Sequence, residues 1–299
     1  MAVIARLLKR RSPGDLAFSA VNLVLLTAFC ILILYPVWYI VVLSFNEGAD
    51  AMLGGIYFWP RKFTLQNYRA VFQENAIVQS FLVTIARTVL GTATSVFFTA
   101  MVSFAYSKAR LIGRNFYLTM GTVTLIFNGG LIPTFLLIRD LHLYDSFWVY
   151  IIPSLFGFYN CIIFMSFFRT LPPALEESAM IDGANEFQQF IKIILPLSKP
   201  ILATIALFTA VGHWNDYFTG VIYIQNPDLI PIQTYLYRIV AEAGSVKIQT
   251  NVQGLQERAN STQALKLATM VVTTLPIVCV YPFLQKYFVK GVMIGAVKG

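Results

Sequence analysis

Charge is scarce in this 299-residue chain: Asp, Glu, Lys and Arg together make up 12% of it, about half the share of an ordinary soluble domain, while apolar residues reach 57%. A single soluble helical protein needs shorter apolar segments broken by charged faces, and several runs here pass the roughly 18 residues that mark a spanning helix. Histidine is down to two residues and cysteine to three. Cys30, Cys161 and Cys279 each fall in a different apolar run, with no CxxC pair and no His or carboxylate at ligand spacing, so no metal site is expected and the thiols read as small buried hydrophobes. No GxxxxGK[ST] phosphate loop occurs. The net charge of +8 is scattered through short loops rather than gathered in a patch, so no nucleic-acid partner is expected.

What is present is a series of long apolar runs. Arg6, Lys9, Arg10 and Arg11 precede the first, as in a secretory signal, but the run from Leu16 to Leu43 is too long for a signal core and reads as a retained helix. Six spans are expected: Leu16–Leu43, Ile77–Tyr106, Phe116–Ile138, Phe147–Phe168, Ile201–Tyr223 and Leu265–Phe288. Basic residues favour the N-terminus, the Lys108–Arg114 loop, the Arg169–Lys199 loop and the C-terminal tail, which puts both termini on the cytoplasmic side. The chain thus divides into a cytoplasmic segment 1–15, a membrane domain 16–288 and a cytoplasmic tail 289–299, with a cytoplasmic loop 169–200 and an outer loop 224–264. No inverted repeat is apparent, which weakens a secondary-transporter reading.

Asn128-Gly129-Gly130, Pro133, Pro153, Pro276 and Pro282 interrupt the spans, as packing kinks or as the lining of a water-filled path. The loop Leu171–Pro200 is too polar and too long to be a bare connector. Pro173 suits a first helical turn, Glu176 and Glu177 suit the positive end of a helix, and Gly183 suits a left-handed stop. A second helix is expected from Asn185 as N-cap, with Gln188 closing a capping box, to Pro196. Phe187, Phe190, Ile191 and Ile194 would form its apolar stripe, with Glu186, Gln189 and Lys192 facing away. Physical chemistry alone leaves two readings open, a handle for a cytoplasmic partner and an interfacial hairpin without one.

The spacing Glu177-Ser178-Ala179, Gly183, Ile193-x-Leu195-Pro196 resembles the EAA signature of permease subunits in binding-protein-dependent ABC importers, departing from it at Ser178, where Ala is usual. Asn128-Gly-Gly-Leu-Ile-Pro133, Gly212-His-Trp-Asn-Asp216 and the tail from Phe288 extend the resemblance over nearly the whole chain, on the side of the six-span subunits of maltose-type sugar importers. The resemblance implies an all-α membrane protein of six transmembrane helices with a cytoplasmic coupling helix–turn–helix, the type I importer permease fold. It implies a second permease subunit, two ATP-binding subunits that hold ATP and Mg, an external solute-binding protein and a sugar substrate, an oligosaccharide by the branch it resembles. Glu177, Ala179, Asp182, Gly183, Ile193, Leu195 and Pro196 would couple to the ATPase, and Gly295 and Lys298 in the tail would touch it. This chain would carry no catalytic residue.

Ionisable groups inside spans are costly and mark function. Arg87 lies in the second span, and His213, Trp214, Asn215 and Asp216 lie in the fifth; with Asn128 they are the candidate pathway residues. Polar groups beside an aromatic face suit a sugar, while a pairing of Asp216 with Arg87 would instead fix the bundle. An enzyme acting on envelope sugar or lipid is the competing class, and its only dense cluster is Asp140, His142 and Asp145, which lacks a nucleophile.

Overall fold

The computed structural model describes residues 13–246, 265–276 and 278–279. In order they form α1 (Pro13–Ser44), α2 (Gly48–Met52), α3 (Gln66–Gln73), α4 (Asn75–Ser107), α5 (Arg114–Ile126) and α6 (Leu131–Asp140). Two single-turn 3-10 helices, Phe147–Tyr150 and Ile152–Ser154, lead into α7 (Phe158–Phe168). Then come α8 (Pro173–Ile181), α9 (Glu186–Leu197), α10 (Lys199–Asn215), α11 (Phe218–Tyr223), α12 (Ile232–Val246) and α13 (Leu265–Pro276). Among the described residues the only extended pairing is one bridge between Asn46 and Phe63. The tail residues Gly295 and Lys298, much of the outer loop and the end of the sixth span lie outside the described residues.

Two compact units divide the chain, 1–71 with 243–271 and 72–242 with 272–299. In the first, Ala17–Ser44 of α1 is 28 residues of mean hydropathy 2.5, apolar on every side and unburied until its last turns, where Val42 and Ser44 are covered, as suits a lipid-facing crossing. Past its end a small polar knot folds. Asn46 accepts from Lys62 N at 2.8 Å and donates to Asp50 at 3.0 Å, while Asn67 donates to the carbonyls of Ser44 and Asn46.

The second unit is organised around α4, which contributes Val83 to one apolar cluster, with Ile138, Tyr150 and Tyr223, and Ala100 and Phe104 to another, with Phe164, Phe190, Ile194 and Ile205. Its buried face carries Gly91, Ser95, Thr99 and Ser103 at four-residue spacing, small enough for neighbouring backbones to come close. At Gly91 a Cβ would fall inside the His213 imidazole of α10. Gly91→Val should therefore wedge α4 from α10 and cost about 1–3 kcal/mol of overpacking, read as a lowered unfolding temperature in detergent.

The expected straight crossings are only partly present. α1 and α4 are single spans, but Phe116–Ile138 is not one helix: α5 and α6 meet at 118°. Gly130 takes φ +88° there, and Asn128 Oδ1 accepts from Gly130 N at 2.9 Å, so the Asn-Gly-Gly run makes a turn that the apolar pattern hid. The segment before α7 meets it at 47°, and α9 meets α10 at 85°. The fifth expected span, Ile201–Tyr223, stops as a helix at Asn215 and restarts at Phe218.

Candidate functional site

A cavity of about 670 Å³ opens between α4, α7, α10 and the turns before α7, within the size range of small-ligand sites. Ser95, Val149, Tyr150, Pro153, Ser154, Gly157, Tyr159, Asn160, Phe208, Thr209, Gly212, His213, Asp216 and Thr219 line it. Aromatic faces beside hydroxyls and an amide suit a polar ligand with an apolar face. Tyr150 spends its hydroxyl on Leu229 O at 3.0 Å and so offers its ring, whereas the Thr209 hydroxyl has no partner among the described residues.

The wall's sharpest feature is the end of α10. The last carbonyls of a helix have no partner in their own helix and carry its negative end. Arg87, fully buried on α4, donates to the carbonyls of His213 and Asp216 and stands 3.5 Å from the Asp216 carboxylate, with its guanidinium 4.9 Å from the centre of the Tyr150 ring. Asp216 then turns to the next helix, its Oδ1 accepting from Thr219 N at 3.1 Å at the start of α11. One buried cation thus ends α10, and one carboxylate begins α11.

Of the candidate pathway residues, His213 and Asp216 line the cavity. Arg87 stands behind the wall, Trp214 donates to Thr273 O at 3.2 Å, Asn215 is exposed outside the lining, and Asn128 braces the α5–α6 turn. Tyr150, Tyr159, Asn160 and Thr209 escaped sequence reasoning; an aromatic or hydroxyl residue in a span gives no signal until a facing helix leaves a gap.

The second feature is the α8–α9 hairpin. Pro173 opens α8, and Gly183 at φ +79° closes it, with Gly183 N donating to Met180 O and Ala184 N to Ala179 O, the pattern of a left-handed helix stop. Asn185 and Gln188 exchange their side-chain to backbone bonds at 2.8 and 3.0 Å, a complete capping box. The face of α9 differs from the expected stripe. Phe190 and Ile194 are buried, but Phe187 is 58% exposed and Gln189 is buried, its amide donating to Ala184 O at 2.9 Å. The ladder widens to a π turn over Phe190–Ile194, just ahead of Pro196, which has no N–H for the Lys192 carbonyl. The departure lies ahead of that widening, in the first turn of α9: Phe187 stands exposed at the hairpin tip while Phe190 meets the rings of Phe97 and Phe104. Glu177, Asp182, Gly183 and Pro196 are exposed, Ile193 and Leu195 are half-buried, and Ala179 is buried beneath the tip.

Residues 1–294 match the family described as the binding-protein-dependent transport system inner membrane component. The chain belongs to this family. As an inner membrane transport component it is 40% identical to Protein LplC of Bacillus subtilis (strain 168), over 94% of this chain and 95% of that one. It is 38% identical to the polygalacturonan/rhamnogalacturonan transport system permease protein YtcP of the same organism, over 92% and 96%. It superimposes with a TM-score of 0.85, at 33% identity over 93% of this chain and 99% of the other, on a chain from the crystal structure of a bacterial ABC transporter involved in the import of the acidic polysaccharide alginate.

The residues of the competing enzyme reading do not form a reactive centre. Asp145 accepts from Gln225 N and Asn226 N at 2.8 Å each, and His142 bonds through Nδ1 to Asp140 O at 3.0 Å, so the two side chains brace loops.

Proposed function

We propose that this chain is one permease half of an ATP-driven oligosaccharide importer, its cavity forming part of the path and its α8–α9 hairpin gripped by an ATPase. The observation that carries the reading is the direct chain connection from α9 to α10: α10 begins at Lys199, a single residue separating it from α9, and its far end stands at the cavity wall with His213 and, just past it, Asp216. A pull on the hairpin is a pull on the wall.

In this reading the hairpin and both termini face the cytoplasm, and Glu177, Ala179, Asp182, Gly183, Ile193, Leu195 and Pro196 form or support the grip. Two ATP-binding subunits hold ATP and Mg, a second permease subunit completes the path, and an external solute-binding protein delivers the sugar. The relatives' names support an oligosaccharide, and the ring faces of Tyr150 and Tyr159 beside Asn160 and Thr209 match its chemistry. This half of the cavity reads hydroxyls and ring faces; which sugar arrives is set by the binding protein.

Co-purification tests the grip. The wild-type chain should retain its ATPase in detergent, and Glu177→Lys or Gly183→Pro should lose it while the permease pair survives. A pair that takes up sugar into vesicles without any ATPase would overturn the reading. Binding of a panel of oligosaccharides to the cognate solute-binding protein tests the substrate class.

A further inference from the structure

α10 is joined to the hairpin by the chain itself, but α4, the other wall of the cavity, is not. Packing of Phe97 and Phe104 against the Phe190 ring of α9 makes that second connection together with two ion pairs. Lys108, the first residue past α4, pairs with Glu176 in the first turn of α8; both side chains are largely shielded, 13% and 25% exposed, and the ammonium also lies 4.0 Å from the centre of the Phe104 ring. Arg110, two residues on, pairs with Glu186 at the start of α9 and approaches Met180 Sδ at 3.5 Å. One short loop therefore holds both helices of the hairpin.

The space beside these pairs is not packed. A groove of about 410 Å³, lined by Phe104, Lys108, Arg110, Leu111, Ile112 and Glu186, opens where the loop faces α9. Beside the Phe104–Phe190 contact, charge spans that part, and the shielded Lys108–Glu176 pair is screened far less by salt than the exposed Arg110–Glu186 pair. From Lys108 the helix runs unbroken to Arg87, about 30 Å away at a 1.5 Å rise per residue, where Arg87 holds the end of α10.

We propose that Lys108 is a positioning residue for transport, the anchor by which the hairpin moves α4 together with α10. With the clamp closed, the hairpin displaces two helices already tied at their far ends by Arg87, and Ser95 on one wall moves with Thr209 and His213 on the other as one rigid body. With it open, only the packing of Phe97 and Phe104 on Phe190 ties the hairpin to α4, and the α4–α10 contact at the cavity is strained as the hairpin moves. The inference rests on the reading of the hairpin as the ATPase grip.

The test uses the whole transporter in proteoliposomes, with its ATPase, second permease and binding protein, measuring sugar moved per ATP hydrolysed. Lys108→Glu and Glu176→Lys should each still assemble but lower that ratio about fivefold or more, a coupling loss of the usual size. The double exchange Lys108→Glu with Glu176→Lys should restore most of it, and Lys108→Gln, neutral and of similar length, should fall between. Single variants with an unchanged ratio, or a double exchange as poor as the singles, would overturn the proposal. So would singles that lose the ATPase altogether, because the pair would then serve assembly. A wild-type chain that binds no ATPase sinks the grip reading instead, which keeps the two failures distinct.

Discussion

Arg87→Met should abolish transport and unfold the cavity wall. The guanidinium is fully buried and holds two α10 carbonyls, the Asp216 carboxylate and the Tyr150 ring at once. Methionine fills much of the volume but donates nothing, so the carbonyls of His213 and Asp216 lose their partner and the part-exposed Asp216 carboxylate loses its counter-charge. Leaving a buried acceptor unsatisfied costs about 1–3 kcal/mol, and two carbonyls are left so. The variant should show a sharply lowered unfolding temperature in detergent and no uptake into vesicles. Arg87→Lys should recover only part of the stability, since an ammonium is a point charge without the flat fork that bridges several acceptors. A fully stable, active Arg87→Met protein would mean that α10 ends where it does without the cation.

What could be read ahead of the structure divides by range. Gly183, Asn185 and Gln188 were legible because a left-handed stop and a capping box are chemistry within six residues, and the structure forms both. The pairing of Arg87 with Asp216 was open as one of two readings, because a buried carboxylate needs some partner. What the sequence did not carry is that Arg87 also takes the carbonyls of His213 and Asp216: backbone acceptors leave no trace in residue types, and only the break after Asn215 exposes them. The expected third span failed for a related reason. Apolar residues on both sides of Asn128-Gly129-Gly130 suit one crossing or two bent segments equally, and the positive φ of Gly130 decides between them. Tyr159, Asn160 and Thr209 became visible as lining only once α7 and α10 left a gap.

Phe187 and Phe190 give the last contrast, because a helical wheel puts them on the same face and the structure does not. Phe190 is 1% exposed, its ring 5.7 Å from that of Phe104, whereas Phe187 is 58% exposed at the hairpin tip. Phe190→Ala should therefore act on the fold, with a loss of about 3–5 kcal/mol of stability from the cavity it leaves. Phe187→Ala should barely change the unfolding temperature of the isolated permease but weaken its hold on the ATPase by about 2 kcal/mol or more, the size of an aromatic anchor at a partner's pocket. Titration of the purified ATPase against each variant in detergent, alongside thermal unfolding of the permease alone, separates the two. If Phe187→Ala lowers stability and leaves ATPase binding intact, the ring packs on this chain after all, and the hairpin meets its partner through charge and backbone instead.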